Sequence, residues 1–218
     1  MVKPDSALRR LMRETGKLLE PYGFEGAEPT WVCVTEEGIA RLERTRIFRT
    51  FTAGQQVLSF GLTATGTPVA WWEFCNWRRE RAGLSPMAIE AATGPGLLAG
   101  EGVPDDPAQL WTIRLDPYQP GHVIPRDVTE IRTELPRRVH AAARRALRLA
   151  DPETYLEELL AQPNPRRNAL EAIVVLLAER GPSPELDGAL DNLLRDVGDQ
   201  PCDVVDYMSA RTLSSRSA

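Results

Sequence analysis

Three helix-start signals lie in the last third of the chain, and each is a small polar residue followed directly by proline. They are Asp151-Pro152, Asn164-Pro165 and Ser183-Pro184. The polar side chain accepts a hydrogen bond from an amide of the first turn, and proline fits the first helical position because it has no N–H to leave unsatisfied. Apolar residues then follow at three- and four-residue spacing. We therefore predict an array of short helices in residues 126–218.

The preceding part of the chain has the patterns of one helix and several strands. Residues 5–20 place apolar side chains at helical spacing, and Pro21 and Gly23 end that helix. Alternating apolar and polar residues predict strands at 31–35, 39–51, 56–65 and 110–115. Neighbouring strands joined by short turns pair antiparallel. The predicted fold is α+β, with an N-terminal helix on a three- to four-stranded antiparallel sheet in residues 1–125, followed by the helical array, which is expected to pack on it.

Four local signals refine the helical region. Asp127 and Glu130 have the spacing of a capping box, although aspartate replaces the usual serine or threonine. Pro136 is expected to interrupt or restart the helix that follows. Gly181 and Gly198 stand where the C-caps of later helices are expected.

Charge is distributed unevenly along the 218 residues. Residues 1–150 carry 20 basic and 18 acidic side chains, whereas residues 151–218 carry 6 and 13. An acidic helical array is a poor surface for nucleic acid, whose phosphates require positive charge. The apolar stretch 172–178 is shorter than the about 20 residues of a membrane span, and the first residues lack the apolar core of a signal peptide. The sequence predicts a cytoplasmic protein without a membrane partner, and its arginine-rich, lysine-poor usage is typical of a GC-rich bacterial genome.

The cysteines and histidines do not form a recognisable catalytic or metal-binding pattern. Cys33, Cys75 and Cys202 are widely separated and form no CxxC pair, which favours reduced thiols over disulfides or a zinc site. His122 lies in a predicted loop and His140 on a basic helix, and no serine lies in a nucleophile motif. No catalytic residue, metal or cofactor is predicted.

Two other patterns have ordinary explanations. The glycine-rich stretch 94–107 lacks the Lys-Ser/Thr ending of a phosphate-binding loop, so it is predicted to be a flexible connection. The acidic pairs Asp187 with Asp191 and Asp203 with Asp206 are one helical turn apart. A solvated acidic face explains them better than a metal site, because metal sites converge several oxygens from a preformed loop.

The least ordinary feature is a cluster of aromatic residues beside arginines between residues 71 and 81. Such a cluster most often plugs one end of a sheet, but it also offers stacking faces and a charged rim to a ligand or partner. Both interpretations stay open at this point. The residues predicted to bind a ligand or partner are Trp71, Trp72, Glu73, Trp77, Arg78 and Arg81.

A second group of arginines marks one face of a predicted helix. Arg137, Arg144 and Arg148 are seven and four residues apart, which places them on roughly one side. Pairing with acidic side chains that follow, such as Glu153 and Glu157, is the favoured interpretation. Simple solvation and contact with nucleic-acid phosphates are the alternatives.

Several short motifs resemble the bacterial domain of unknown function numbered four-three-zero-four. They are the segment 19–24 (LEPYGF) after the first helix, the run 75–81 (CNWRRER) and the later segment 111–114 (WTIR), and the likeness covers roughly residues 5–150. The resemblance implies a curved antiparallel sheet with helices on one side, and no activity. It also implies a dedicated binding role in a variable gene cluster. Asn76 stands where the family is expected to have histidine, which puts a catalytic or ligand role at this position in doubt.

We predict a non-catalytic binding protein that holds an unidentified protein or small-molecule partner through the sheet face or residues 71–81. Aromatic and arginine enrichment is typical of interface centres. One alternative is a small-molecule enzyme that uses Glu73, Arg78 and His122 for acid/base and anion-holding roles. Another is nucleic-acid contact through the helix of Arg137, Arg144 and Arg148.

Overall fold

The computed structural model describes residues 2–52, 54–95, 110–198 and 200–215. It confirms the α+β class, with an N-terminal helix, antiparallel sheets and a C-terminal helical array. The elements, in chain order, are α1 (Pro4–Leu19), β1 (Glu25–Ala27), β2 (Thr30–Val34), β3 (Gly38–Arg44), β4 (Phe48–Thr52), β5 (Gln55–Phe60), β6 (Leu62–Pro68), α2 (Val69–Arg81), β7 (Trp111–Arg114), α3 (Pro125–Ala150), α4 (Pro152–Leu160), α5 (Arg167–Glu179), α6 (Pro184–Val197) and α7 (Asp203–Ser215).

The strands form two sheets. One has the order β1-β2-β3-β6 and the other has the order β4-β5-β7. Antiparallel pairing joins β1 to β2, β4 to β5 and β5 to β7.

Each of two predicted strands corresponds to two strands in the structure, because the chain passes from one sheet to the other partway along it. The predicted strand 39–51 divides into β3 and β4, and the predicted strand 56–65 divides into β5 and β6. Both breaks lie at the same place: the Thr45 N–H donates to the Gly61 carbonyl at 2.9 Å, and the Thr45 hydroxyl accepts from the Gly61 N–H at 2.8 Å. The alternation continues through this crossing, so the residue pattern alone does not show it.

The chain divides into two compact units, each assembled from separated segments. The first takes its described residues from Met1–Val34, Ala40–Thr65 and Leu98–Leu147, and the second from Thr35–Ile39, Gly66–Leu97 and Arg148–Ala218. The division into a sheet domain of residues 1–125 and a helical region of residues 126–218 stays a prediction.

In the first unit, α1 is the amphipathic helix that its spacing predicts. Its buried residues recur at helical spacing, and β5 and β7 bury the alternate residues Leu58, Phe60, Trp111 and Ile113. The guanidinium of Arg138 lies 3.9 Å from the ring centroid of Trp111, so one arginine of the basic helix covers this core aromatic.

The second unit is built around α5. This helix buries every residue from Glu171 to Leu177, and α2, α4, α6 and α7 contact it. A helix that is apolar on all sides is typical of the centre of a bundle. The core around it also contains Trp71, Phe74 and Tyr155.

Two of the three proline helix starts are confirmed. The Asp151 carboxylate accepts from the Thr154 N–H at 2.7 Å, and the Ser183 hydroxyl accepts from the Leu186 N–H at 3.2 Å. The start predicted at Asn164-Pro165 is wrong, because α5 begins at Arg167 and has no side-chain cap. The buried face of α5, which begins at Ala169, fixes the start of that helix. Gly181 and Gly198 follow α5 and α6 with positive φ, as predicted.

Two predictions about α3 are wrong. The Asp127 carboxylate does not cap the helix. It accepts from the backbone N–H of Arg114 at 2.8 Å and from its guanidinium at 3.0 and 2.5 Å. Pro136 does not interrupt the helix either, because α3 is continuous over its 26 residues and contains Pro136. Proline inside a helix costs about 3 kcal/mol, and the buried stripe that includes Leu135 and Val139 offsets that cost.

Candidate functional site

The residues predicted to form a site lie on α2, a helix that the sequence pattern does not reveal. Aromatic side chains point to several sides of this helix, so no apolar stripe is visible at helical spacing. Trp71 and Phe74 face the core, with 3% and 0% of their surface exposed, whereas Trp72 and Trp77 are half-buried. The first interpretation of the cluster, a structural role, therefore explains Trp71 and Phe74. The prediction placed them at one end of a sheet, whereas they fill a core between helices.

The half-buried Trp77 packs between two helices. Its ring lies 5.3 Å from that of Tyr207 on α7 in an edge-to-face arrangement, and Phe74 lies 5.2 Å from the same tyrosine. The guanidinium of Arg81 covers the Trp77 ring at 4.8 Å. Such pairs each contribute about 0.5–1.5 kcal/mol beyond their buried area, so Trp77 fastens α7 to α2.

The two arginines predicted to bind a ligand form ion pairs within the second unit. Arg78 donates to the buried Glu171 carboxylate at 3.2 Å, and Arg167 donates to its other oxygen at 3.3 Å. Arg81 pairs with Asp206 on α7 at 3.0 Å. The arginines thus connect α2 to α5 and α7.

Trp72 and Asn76 hold the segment that follows α2. Asn76 accepts from the Met87 N–H at 2.7 Å and donates to the Met87 carbonyl at 3.1 Å. The Trp72 indole N–H donates to the same carbonyl at 3.0 Å. The position at which the family resemblance implies histidine is therefore occupied here by an amide that matches one backbone residue as both donor and acceptor.

Glu73 is the predicted residue that lines an open cleft. This cavity of about 460 Å³ lies among α2, α4, α5 and α7, and we call it the α2 cleft. Its apolar surface comes from residues that include the half-buried Val69, Ala70 and Pro152, and the core residues Leu156 and Leu176 lie beneath it. The charged side chains around it are Glu37, Glu73, Glu153, Glu179, Arg180 and Arg211.

The charges around the α2 cleft do not balance. Arg180 donates two hydrogen bonds to Glu153, and Arg211 forms the same kind of pair with Glu179. Among the described residues, none forms a hydrogen bond or ion pair with the carboxylate of Glu73 or Glu37. The carboxylates of Glu73 and Glu37 are therefore not neutralised, and they give the cleft a negative potential.

A second cavity shares two lining residues with the α2 cleft. This neighbour has a volume of about 300 Å³, shares Glu179 and Arg211 with the α2 cleft, and is further lined by Leu186, Tyr207 and Met208. Burial raises the pKa of the Tyr207 phenol, and the nearby Glu73 raises it further against the opposing charge of Arg211. The Tyr207 hydroxyl therefore remains a neutral hydrogen-bonding group at the junction.

The other candidate residues lie elsewhere in the fold. His122 lies in the turn before α3, where its backbone carbonyl accepts from the Asp116 N–H at 2.8 Å. Arg137, Arg144 and Arg148 are exposed on α3. The acidic residue Glu153 pairs with Arg180.

The remaining sequence features give no further site. Burial raises the pKa of the Cys75 thiol, and Arg78 lowers it by less, so this thiol stays protonated near neutral pH. Of the glycine-rich stretch 94–107, predicted to be a flexible connection, residues 96–107 lie outside the described residues. Among those described, no three His, Cys, Asp or Glu side chains come together as a metal site requires. No described helix is both long and apolar enough to cross a membrane.

Sequence reasoning missed most of the residues that surround the α2 cleft. Glu37 lies between β2 and β3, Glu153 on α4, and Glu179 at the end of α5. They come together through packing of helices that are far apart in sequence, so no motif spacing signals them. The only sequence signal that pointed toward this site was the negative charge of residues 151–218.

Comparison of the chain with protein-family models, with curated proteins and with solved structures found no match.

Proposed function

We propose that this protein is a non-catalytic binding protein that holds a positively charged, partly apolar segment of a partner protein in the α2 cleft. The observation that carries the proposal is the excess of carboxylates: Glu73 and Glu37 have no cationic partner among the described residues. The sequence predicted binding through residues 71–81. The proposal keeps one side chain of that segment, Glu73, and adds cleft residues from other parts of the chain.

Charge complementarity supports a cationic occupant. The two arginines at the cleft are already neutralised by Glu153 and Glu179. An incoming Lys or Arg side chain would therefore meet two unneutralised carboxylates, whereas an acidic segment would be repelled. The half-buried residues Val69, Ala70 and Pro152 would then cover apolar side chains of the same segment.

The shape of the site favours an extended segment over a compact ligand. The α2 cleft and its neighbour share the Arg211–Glu179 pair, so a segment that passes this pair would reach both cavities. Two neighbouring cavities of this kind suit an extended chain that alternates charged and apolar side chains. The described lining residues supply charge and apolar contact, and no imidazole or thiol is among them.

Fluorescence anisotropy with labelled hexapeptides tests the proposal. A peptide that alternates Lys and Leu is expected to bind, and a peptide that alternates Glu and Leu is not. Glu73→Gln is expected to weaken binding about fivefold, because an exposed charge pair contributes up to about 1 kcal/mol. Higher salt is expected to weaken binding to the wild-type protein.

The matched control is Glu80→Gln. Glu80 is also an exposed glutamate of α2, but it does not line the cleft. Seven helical residues separate it from Glu73, or about 10 Å along the axis, which is about one Debye length at 0.1 M salt. Equal losses for the two variants, or equal binding of the basic and acidic peptides, would refute the proposal.

A further inference from the structure

A different cavity, within the first unit, has walls of the opposite charge. It has a volume of about 420 Å³ and lies between α1 and the β1–β2 hairpin, and we call it the α1 cleft. Arg9, Arg13 and Lys17 line it from successive turns of α1, at four-residue spacing. Cavities of this size bind small molecules.

The cations of the α1 cleft have few partners within the protein. Among the described residues, none pairs with the guanidinium of Arg13 or the ammonium of Lys17, and Arg9 donates only to a carbonyl of its own helix. Like charges four residues apart destabilise a helix by a few tenths of a kcal/mol per pair. Elsewhere on the same helix, by contrast, Arg10 pairs with Glu14 at 3.4 Å. The repulsion among these three cations therefore destabilises α1, and a bound anion would relieve it.

The acidic residues at the α1 cleft do not cancel this charge. Glu28 accepts from the Nε of Arg44 at 2.8 Å, and Arg44 does not line the cavity. Glu20 remains at the C-terminal end of the row. With the Glu28 charge neutralised by Arg44, the three cations and the Glu20 carboxylate leave a net charge of about +2, which matches a doubly charged anion better than a singly charged carboxylate.

The floor of the α1 cleft is apolar and aromatic. Met12, Phe24 and Trp31 form it, and each is almost fully buried. Gly16 lies in the last turn of α1. A Cβ there would lie 3.2 Å from the indole nitrogen of Trp31. The glycine thus lets the Trp31 indole pack directly against the helix beneath the row of cations.

We propose that the α1 cleft binds a small molecule carrying a phosphomonoester. The dianionic group contacts Arg13 and Lys17, and the rest of the molecule lies against the exposed hairpin residues Gly26 and Ala27. Arginine and lysine are the usual phosphate-binding side chains, because their N–H groups form charge-assisted hydrogen bonds to phosphate oxygens. This site is independent of the α2 cleft, so either proposal can fail without the other.

Isothermal titration calorimetry with simple probes tests the site. Phenyl phosphate is expected to bind more tightly than inorganic phosphate, which lacks the ring, and than benzoate, which carries one negative charge. Lys17→Gln and Arg13→Gln are each expected to weaken phenyl phosphate binding about tenfold. Arg46→Gln is the matched control, because Arg46 is an exposed cation that does not line the cleft.

Three results would overturn the proposal: no saturable binding of phenyl phosphate at millimolar concentration to the folded protein, equal binding of benzoate, or equal losses for Lys17→Gln and Arg46→Gln. Circular dichroism confirms that each variant is folded. Co-sedimentation with phosphatidic acid vesicles identifies the source of the phosphate. Co-sedimentation that phenyl phosphate abolishes would assign a lipid headgroup, and phenyl phosphate binding without co-sedimentation would assign a free metabolite.

Discussion

Asn76→Asp is predicted to make the stability of this protein depend on pH. Asn76 is 8% exposed, accepts from the Met87 N–H and donates to the Met87 carbonyl. Aspartate has the same shape and keeps the acceptor, but it replaces the donor with a second oxygen. When ionised, that oxygen faces the Met87 carbonyl at the distance of the present hydrogen bond, 3.1 Å.

The size of the effect follows from these contacts. The lost hydrogen bond contributes about 1 kcal/mol, and a buried polar or charged group without its partner costs about 1–3 kcal/mol more. The Met87 carbonyl keeps the hydrogen bond from Trp72, so it is not left unsatisfied. We expect the free energy of unfolding at pH 7 to fall by about 2–4 kcal/mol.

Protonation is expected to restore the missing donor. Burial and the hydrogen bond to the Met87 carbonyl both favour the neutral acid, so the pKa of the introduced carboxyl is raised in the folded state. A raised folded-state pKa stabilises the protein fully below the unfolded-state pKa, and this stabilisation is lost as pH rises through the folded-state pKa. The deficit relative to wild type is therefore small at pH 4 and grows to a plateau near neutrality.

Urea unfolding of wild type, Asn76→Asp and Asn76→Ala between pH 4 and 8 measures this dependence. Asn76→Ala loses both hydrogen bonds at every pH, so its deficit is expected to be constant. A constant deficit for Asn76→Asp, or no deficit at pH 7, would refute the conclusion that Asn76 holds Met87 through both a donor and an acceptor.

Two further predictions concern other contacts. Burial alone would raise the pKa of Asp127, but the hydrogen bonds and charge of Arg114 outweigh it and hold that pKa below its ordinary value. Asp127→Asn is therefore expected to lower stability at neutral pH, by an amount that shrinks as pH falls through the folded-state pKa, and urea titrations that give a pH-independent loss would contradict this. Gly66→Ala is expected to cost at least about 1–3 kcal/mol, because its Cβ would lie 2.2 Å from the Leu149 backbone. Gly188→Ala, on an open helix surface, is expected to raise stability by about 0.5–1 kcal/mol, and equal thermal shifts for the two would contradict the close approach at residue 66.

Local sequence signals predicted the N-terminal ends of two helices correctly. Asp151 and Ser183 cap the helices that their proline signals predict, because a cap depends on only four neighbouring residues. Asn164 failed as a cap because burial of α5 fixes its start further along the chain. Pro136 and Asp127 were misinterpreted for a related reason, since contacts distant in sequence decide both.

Sheet connectivity was harder to predict than strand position. The reciprocal hydrogen bonds of Thr45 and Gly61 mark the place where two strands pass between sheets. Nothing in the alternation of side chains changes there. The helix α2 was missed because Trp71, Trp72 and Trp77 place aromatic rings on several sides of it.

The candidate site could be predicted only in part. The sequence predicted binding residues on the segment 71–81, but in the structure most of them hold α5, α7 and the Met87 segment in place. Glu73 alone among them lines the α2 cleft. Its companions Glu37, Glu153 and Glu179 lie on other elements, and only tertiary packing brings their charges together.

An NMR titration of the isotope-labelled protein with the Lys-Leu hexapeptide tests the central claim, that the α2 cleft is the binding site, most directly. We predict saturable shifts of the Val69, Leu156 and Leu176 methyl signals, weakened in Glu73→Gln and retained in Glu80→Gln. Shifts confined to residues outside the cleft, or identical titrations of the two variants, would contradict the account.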